Sequence, residues 1–366
     1  MHFLFPSSYQ MLAASLLLSS TTLAQTYTSC NPLTSKLTLL TSLKDNIINI
    51  LSATCPAETA LGKSISVDFT QGAVNSFTAS GSPTYNSNGA SFTVAKSGDS
   101  PQLDSLFYIM FGKVSVTMKA APGAGIVSSV VLQSADLDEI DFEWLGADDT
   151  QVQTNYFGKG DVTTYNRGTY AAAPGNQANF ITYTIEWTST QIIWSVGGTV
   201  VRVLTPATAD TNQYPQTPMQ VKLGAWSGGD ASNAAGTISW ARGPTDYTKG
   251  PFSMIVKSMS IEDYSTGSAY TYSDMSGSWT SIKSTGGSIN GRAPAAGSAA
   301  SAQSPSATTN SPSIPAGIGS STSTYSSIAI PSGWTVSSNG RIVPVSTAVS
   351  MPACFAYCHF HSLLPL

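Results

Sequence analysis

Charge is scarce in this chain. Only 10% of its 366 residues are Asp, Glu, Lys or Arg, against about a quarter in an average soluble domain. With 16 Lys and Arg against 20 Asp and Glu, and a net charge of −4, it offers no basic face to a nucleic acid, whose phosphates must be met by clustered cations. A neutral polymer makes no such demand. Histidine occurs three times and cysteine four times. Cys354, Cys358, His359 and His361 crowd the C-terminal tail, but ligands packed so closely along one segment make a strained tetrahedral cage, and the spacing matches no zinc pattern, so no metal is expected. Neither an Asn-x-Ser/Thr sequon nor a phosphate-cradling glycine loop occurs, so no N-linked glycan and no cofactor are expected. No apolar run reaches the roughly 18 residues that mark a membrane span.

Ser, Thr, Gly and aromatic residues take the place of charge. Between 56 and 285, short alternating or apolar runs recur between turn residues, among them Lys113–Met118, Ile126–Leu132, Phe180–Trp187, Gln191–Val196 and Met219–Leu223. Period two without a helical period predicts an all-β domain. Gly197-Gly198 between two such runs is a two-residue hairpin signal. Two packed antiparallel sheets are the natural architecture, and a curved one would leave a concave face open as a cleft.

The ends read differently. Residues 1–24 have the form of a secretory signal peptide: an apolar stretch Met11–Leu18, then Thr22-Leu23-Ala24 as a small-residue cleavage site, although the leading residues hold no Lys or Arg. Secretion permits disulfides, and Cys30 and Cys55 in the segment 25–55 are expected to pair. Inside that loop, residues 36–51 place Leu40, Leu43, Ile47, Ile50 and Leu51 on one helical stripe, which predicts a short amphipathic helix; the alternative is an insertion foreign to the mature protein. From 286 to 341 the chain turns to Ser, Ala, Pro and Thr, a composition that builds no core and is expected to form a disordered, O-glycosylated linker. Residues 342–366 are more apolar. With Ser337, Ser338, Asn339 and Gly340 as an attachment site, they outline a lipid-anchor signal, one that Pro352, His359, His361 and Pro365 interrupt.

Against this low-charge background stands one crowded run, Asp138-Glu139-Ile140-Asp141-Phe142-Glu143-Trp144. In a strand, Glu139, Asp141 and Glu143 share one face while Ile140, Phe142 and Trp144 share the other. Three acids on one face repel each other, a cost that chemistry can justify. Glycosidic bond cleavage asks for such a row: one carboxylate as nucleophile and a second carboxyl kept protonated for the leaving oxygen, about 5–5.5 Å apart in retaining enzymes. A like charge beside Glu143 would raise its pKa, and hydrogen bonding would keep Glu139 ionised. A solvated edge strand with scattered acids is the alternative. The large apolar residues on the opposite face argue against it.

The run DEIDFEW, followed by Asn155–Asp161 (NYFGKGD), resembles glycoside hydrolase family 16, and within it the fungal Crh-type chitin–glucan transglycosylases of the cell wall. Thr54–Gly62 (TCPAETALG), Ala225–Asp230 (AWSGGD), Asn233–Trp240 (NAAGTISW) and Asp263–Tyr272 (DYSTGSAYTY) extend the resemblance over about residues 54–285. It implies a β-jelly roll with a substrate cleft on its concave sheet. It also implies Glu139 as nucleophile, Glu143 as general acid/base and Asp141 as the assistant between them. Sugar contacts carry over to Glu143, Lys222, Trp226 and Thr237: a flat indole for stacking, an ammonium and a hydroxyl for hydrogen bonds. Tyr165, Arg167 and Gln133 are further cleft candidates. The implied reaction cleaves a chitin-type β-1,4-linked donor and passes it to β-glucan or chitin through a covalent glycosyl-enzyme, in a secreted, monomeric wall protein. A hydrolytic endo-β-glucanase and a non-catalytic glycan-binding wall protein remain open alternatives.

Overall fold

The structure, a computed structural model, describes residues 28–34, 38–41, 48–51, 55–294, 330 and 332–345. Two antiparallel sheets lie face to face in a β-jelly roll. The inner sheet has seven strands in the order Thr169–Ala172, Gln151–Phe157, Glu139–Leu145, Ile126–Ser134, Met219–Ser227, Gln102–Ser105 and Phe77–Ser80. The outer sheet runs Thr199–Leu204, Ile192–Val196, Ile181–Trp187, Gly112–Lys119, Phe252–Asp263, Gly89–Val94 and Thr84–Asn86, with Ser64–Asp68 also paired to Phe252–Asp263.

Alternation builds the layers. Gly112–Lys119 buries every second residue, placing Val114, Val116 and Met118 in the core. The acidic strand sends Ile140, Phe142 and Trp144 into that same core. There Phe142 and Trp144 meet Tyr183 of the outer sheet edge-on, with ring centroids 5.6 and 4.6 Å away. Burying two such rings costs about 3–5 kcal/mol each to undo, so the core side alone fixes the strand's register and hence which residues face outward. The Gly197-Gly198 turn forms as expected. Both residues have positive φ, 57° and 83°, and Val196 pairs with Thr199, the backbone that a primed two-residue turn requires.

Three findings concern the ends. Cys30 and Cys55 are joined, with Cα atoms 5.6 Å apart. Within their loop, the described residues of the span 36–51, expected as a helix, are extended: Thr38–Thr41 and Ile48–Leu51 pair as antiparallel strands, Thr38 opposite Leu51 and Thr41 opposite Ile48. The helical stripe competes there with β-branched residues, which lose rotamer freedom in a helix and fit a pleated strand. Finally, Trp334–Val336 and Ile342–Pro344 form a hairpin that straddles the expected linker–tail boundary and docks on the domain. Val336 is buried, Ser66 donates its N–H to Ser338 O at 2.7 Å, and Asn75 exchanges two hydrogen bonds with the Ile342 backbone. Ser337, Ser338, Asn339 and Gly340 belong to its turn. The signal segment 1–24 and the Cys354/His361 cluster lie outside the described residues.

Candidate active site

The outward face of the inner sheet is assembled row by row from strand register. In one row Tyr170, Gln153, Glu143, Ser129, Gly224 and Gln102 stand side by side. The next holds Asn155, Asp141, Val131, Lys222 and Asp104. The third holds Phe157, Glu139, Gln133 and Gln220. Glu139, Asp141 and Glu143 therefore do share one face, as the alternation predicts. The surface around them is polar rather than core-like.

The acids are deeply set: Glu139 is 3% exposed, and Asp141 and Glu143 are 0% exposed. Part of the cover at the Glu143 end is the short helix Ala235–Trp240. Trp240 stacks on Trp226 at 6.2 Å and donates its Nε1–H to Gln153 Oε1 at 3.3 Å. Val127, Leu145, Trp226, Trp240 and Ala241 form a separate apolar cluster on this face, with Tyr170 packed against it.

Burial dominates the electrostatics. It pushes the Glu143 carboxyl well above the usual range, with the charges of Asp141 and Glu139 adding to the effect. Neither Glu143 oxygen has a partner of hydrogen-bond geometry among the described residues. The Ser129 hydroxyl on the facing strand favours the charged form, but desolvation prevails. Glu139 is likewise raised well above its ordinary value, first by burial and then by Asp141, against the pull of Gln133, whose Nε2 donates to Glu139 Oε2 at 2.9 Å. The Gln133 hydrogen bond and the charge of Lys222 favour the Glu139 carboxylate, and desolvation opposes them. Asp141 rises only to about 7. Burial lifts it, while the neighbouring Glu139 and the charge of Arg202 lower it; neither Asp141 oxygen has a partner of hydrogen-bond geometry among the described residues. Two desolvated carboxyl groups side by side on one face resist ionising together, which favours a single negative charge on the pair.

The other candidates divide. Lys222 Nζ donates to Gln133 Oε1 at 2.8 Å, so Lys222, Gln133 and Glu139 make one chain of contacts. Trp226 lies on the same face, but it is only 3% exposed and one side of its ring is taken by Trp240; its Nε1–H has no partner among the described residues. Thr237 is half-buried on the covering helix. Arg167 is committed to its own loop, donating to Gln213 Oε1 and to the Asp161 and Thr164 carbonyls while lying 4.3 Å over Phe157. Tyr165, on that loop, is 36% exposed. Asp138, the first acid of the run, has a structural task. It accepts from the Lys159 and Gln216 backbones and from Thr217 Oγ1, tying the turn before the strand to two other loops. Sequence reasoning passed over Ser129, Gln153, Asn155 and Asp104. They are legible only once the register aligns them with the acids. The site holds acids of raised pKa, several buried polar atoms without partners (Trp226 Nε1, Gln153 Nε2, both Glu143 oxygens) and an aromatic wall. Such atoms cost about 1–3 kcal/mol each when unpaired, and a polyhydroxylated ligand supplies the partners they lack.

Residues 70–242 match the glycosyl hydrolases family 16. The chain is 61% identical over 365 residues to Crh-like protein 4 of Botryotinia fuckeliana, covering 94% of this chain and 93% of the relative. It is 50% identical over 364 residues to Crh-like protein 4 of Aspergillus fumigatus, covering 92% and 77%. Among solved structures it is similar to a Crh5 transglycosylase in complex with NAG, at 50% identity and a TM-score of 0.63, over 69% of this chain and 99% of that one.

Proposed function

The chain belongs to the Crh-like proteins of glycosyl hydrolases family 16, and from that premise we propose that it is a retaining transglycosylase of wall polysaccharides. It cleaves a chitin-type β-1,4-linked donor and passes the cleaved chain to a β-glucan or chitin acceptor. The observation that carries this reading is the row Glu139, Asp141, Glu143 on one face of a strand whose other face is locked into the core. The NAG-bound transglycosylase at 50% identity supports an N-acetylglucosamine-containing donor.

In the first step the proton held by the Glu139–Asp141 pair settles on Asp141. The freed Glu139 carboxylate attacks the anomeric carbon as the glycosidic C–O bond breaks, and Glu143, held protonated by burial, gives its proton to the leaving oxygen. A glycosyl ester on Glu139 remains. In the second step Glu143, now a carboxylate, takes the proton of an acceptor hydroxyl. The acceptor oxygen then attacks the anomeric carbon, and Glu139 leaves as a carboxylate. The water-poor setting of the acids favours sugar over water as acceptor. Lys222, Trp226 and Thr237 are the sugar contacts in this reading. The protein works as a monomer outside the cell, in the wall; the further reading of a surface lipid anchor draws on residues 337–366.

Product analysis tests this. The secreted protein is incubated with labelled chito-oligosaccharide and laminarin oligomers. Hybrid products carrying the label are expected. Shortened glucan alone would make it a hydrolase, and retained binding without turnover a non-catalytic glycan binder.

A further inference from the structure

On the core side of the acidic row lies a cation that the mechanism above does not use. Arg202 comes from the edge strand Thr199–Leu204 of the outer sheet, directly opposite Trp194 in register. Its guanidinium reaches between the layers. One arm donates to the Thr154 carbonyl at 2.8 Å and to Thr154 Oγ1 at 3.1 Å, and the other to the Arg167 carbonyl at 2.8 Å. It lies 4.9 Å over the Trp194 ring and 5.4 Å over that of Tyr156. Among the described residues no carboxylate comes within 4 Å of it. Arg202 is half-buried and all its hydrogen-bond partners are neutral, so the partial loss of water around its charge is not offset by an ion pair.

The offsetting charge lies just across the inner sheet. Thr154 is the neighbour of Asn155, which pairs with Asp141. Trp194, which Arg202 covers, donates its Nε1–H to the Asp141 carbonyl at 3.1 Å. We propose that Arg202 is a positioning residue of the active site: the through-sheet counter-ion of the Glu139–Asp141 pair, which keeps one negative charge there inside a dry site. Trp194 and Thr154 are the rigid struts that hold it at that distance. The consequence is an ordering of charge. With a fixed cation behind it, Asp141 carries the charge at rest and receives the proton only as Glu139 attacks. The other charged and titratable groups facing the pair are Lys222 and Glu143 on the same face, with Asp104 beyond Lys222. Facing Arg202 itself are Tyr156, the Arg167 backbone and, behind Tyr156, Asp210. None of these is a second cation on the core side of Asp141.

This inference rests on the proposed reaction for its meaning, but its test does not need turnover. The side-chain carboxyl of Asp141 is followed by carbon-13 NMR through a pH titration, assigned by its loss in Asp141→Asn. In Arg202→Met and Arg202→Gln the titration midpoint is expected to rise by about one pH unit, the size of effect that removal of one nearby opposite charge has; Arg202→Lys should leave it near the wild-type value. The acid limb of kcat/KM should move with it. Gln can keep hydrogen bonds to Thr154 if Met fails to fold. An unmoved midpoint in the folded neutral variants would overturn the proposal, as would a shift in Arg202→Lys as large as theirs. An inactive wild-type protein would refute the transglycosylase reading while leaving the titration to decide on Arg202.

Discussion

The two faces of one strand, Glu139–Leu145, are built on opposite principles. Inward, Ile140, Phe142 and Trp144 meet close-packed partners and gain stability from burial. Outward, Glu139, Asp141 and Glu143 are equally buried, yet they lose by it. Their neighbours are one another, and their pKa values climb. Seven residues thus hold a stabilising stripe and a destabilised one back to back. The first makes the second affordable and fixes where it points.

That contrast can be broken from either side. The largest effect should come from Glu139→Gln, which removes the nucleophile and leaves the core face intact. Turnover should fall by at least about 10³-fold with no loss of melting temperature, as read by product assay and calorimetry on the same sample. Near-normal activity would remove Glu139 from its assigned role. Next in size, Phe142→Ala empties a fully buried ring site and should cost about 3–5 kcal/mol of stability, measured by denaturant midpoint. Activity per folded molecule should change far less than in Glu139→Gln.

The smallest effect sharpens the comparison through pH. Glu143 has a folded pKa above its unfolded value. The stability it contributes is therefore complete below the unfolded pKa, near pH 4, and is lost as pH rises through the folded pKa. Glu143→Gln cannot ionise and escapes that loss. It should melt above the wild type at pH 8, by about 2–4 °C for each kcal/mol relieved, and level with it at pH 4. A lower melting temperature at pH 8 would mean that the Glu143 charge is satisfied in the fold.

Much of this was legible in the sequence, because period two is a strong signal where one face is large and apolar. The alternation of 138–144, the Gly197-Gly198 turn and the sandwich all follow from it. Other features depend on contacts distant in sequence. Gln153 and Ser129 gain meaning only as cross-strand neighbours of Glu143. Arg202 reads as an ordinary residue of a short edge strand until the two layers bring it behind Asp141. Trp226 carries the right chemistry for a sugar platform, but its sequence says nothing of Trp240 lying on it. Residues 36–51 show the limit of periodicity. The same apolar spacing satisfies a helix, while the β-branched residues favour the strand pairing of Thr38–Thr41 with Ile48–Leu51.

The C-terminal hairpin bears on where the folded unit ends. Composition would draw that limit near 286, but Val336 plugs into the core and Ser338 accepts from Ser66 on an otherwise bare margin of the outer sheet. A recombinant fragment stopped after 294 would uncover an apolar seat and an unpaired strand together, the combination that invites sheets to join margin to margin. Expression boundaries for this protein belong beyond 345.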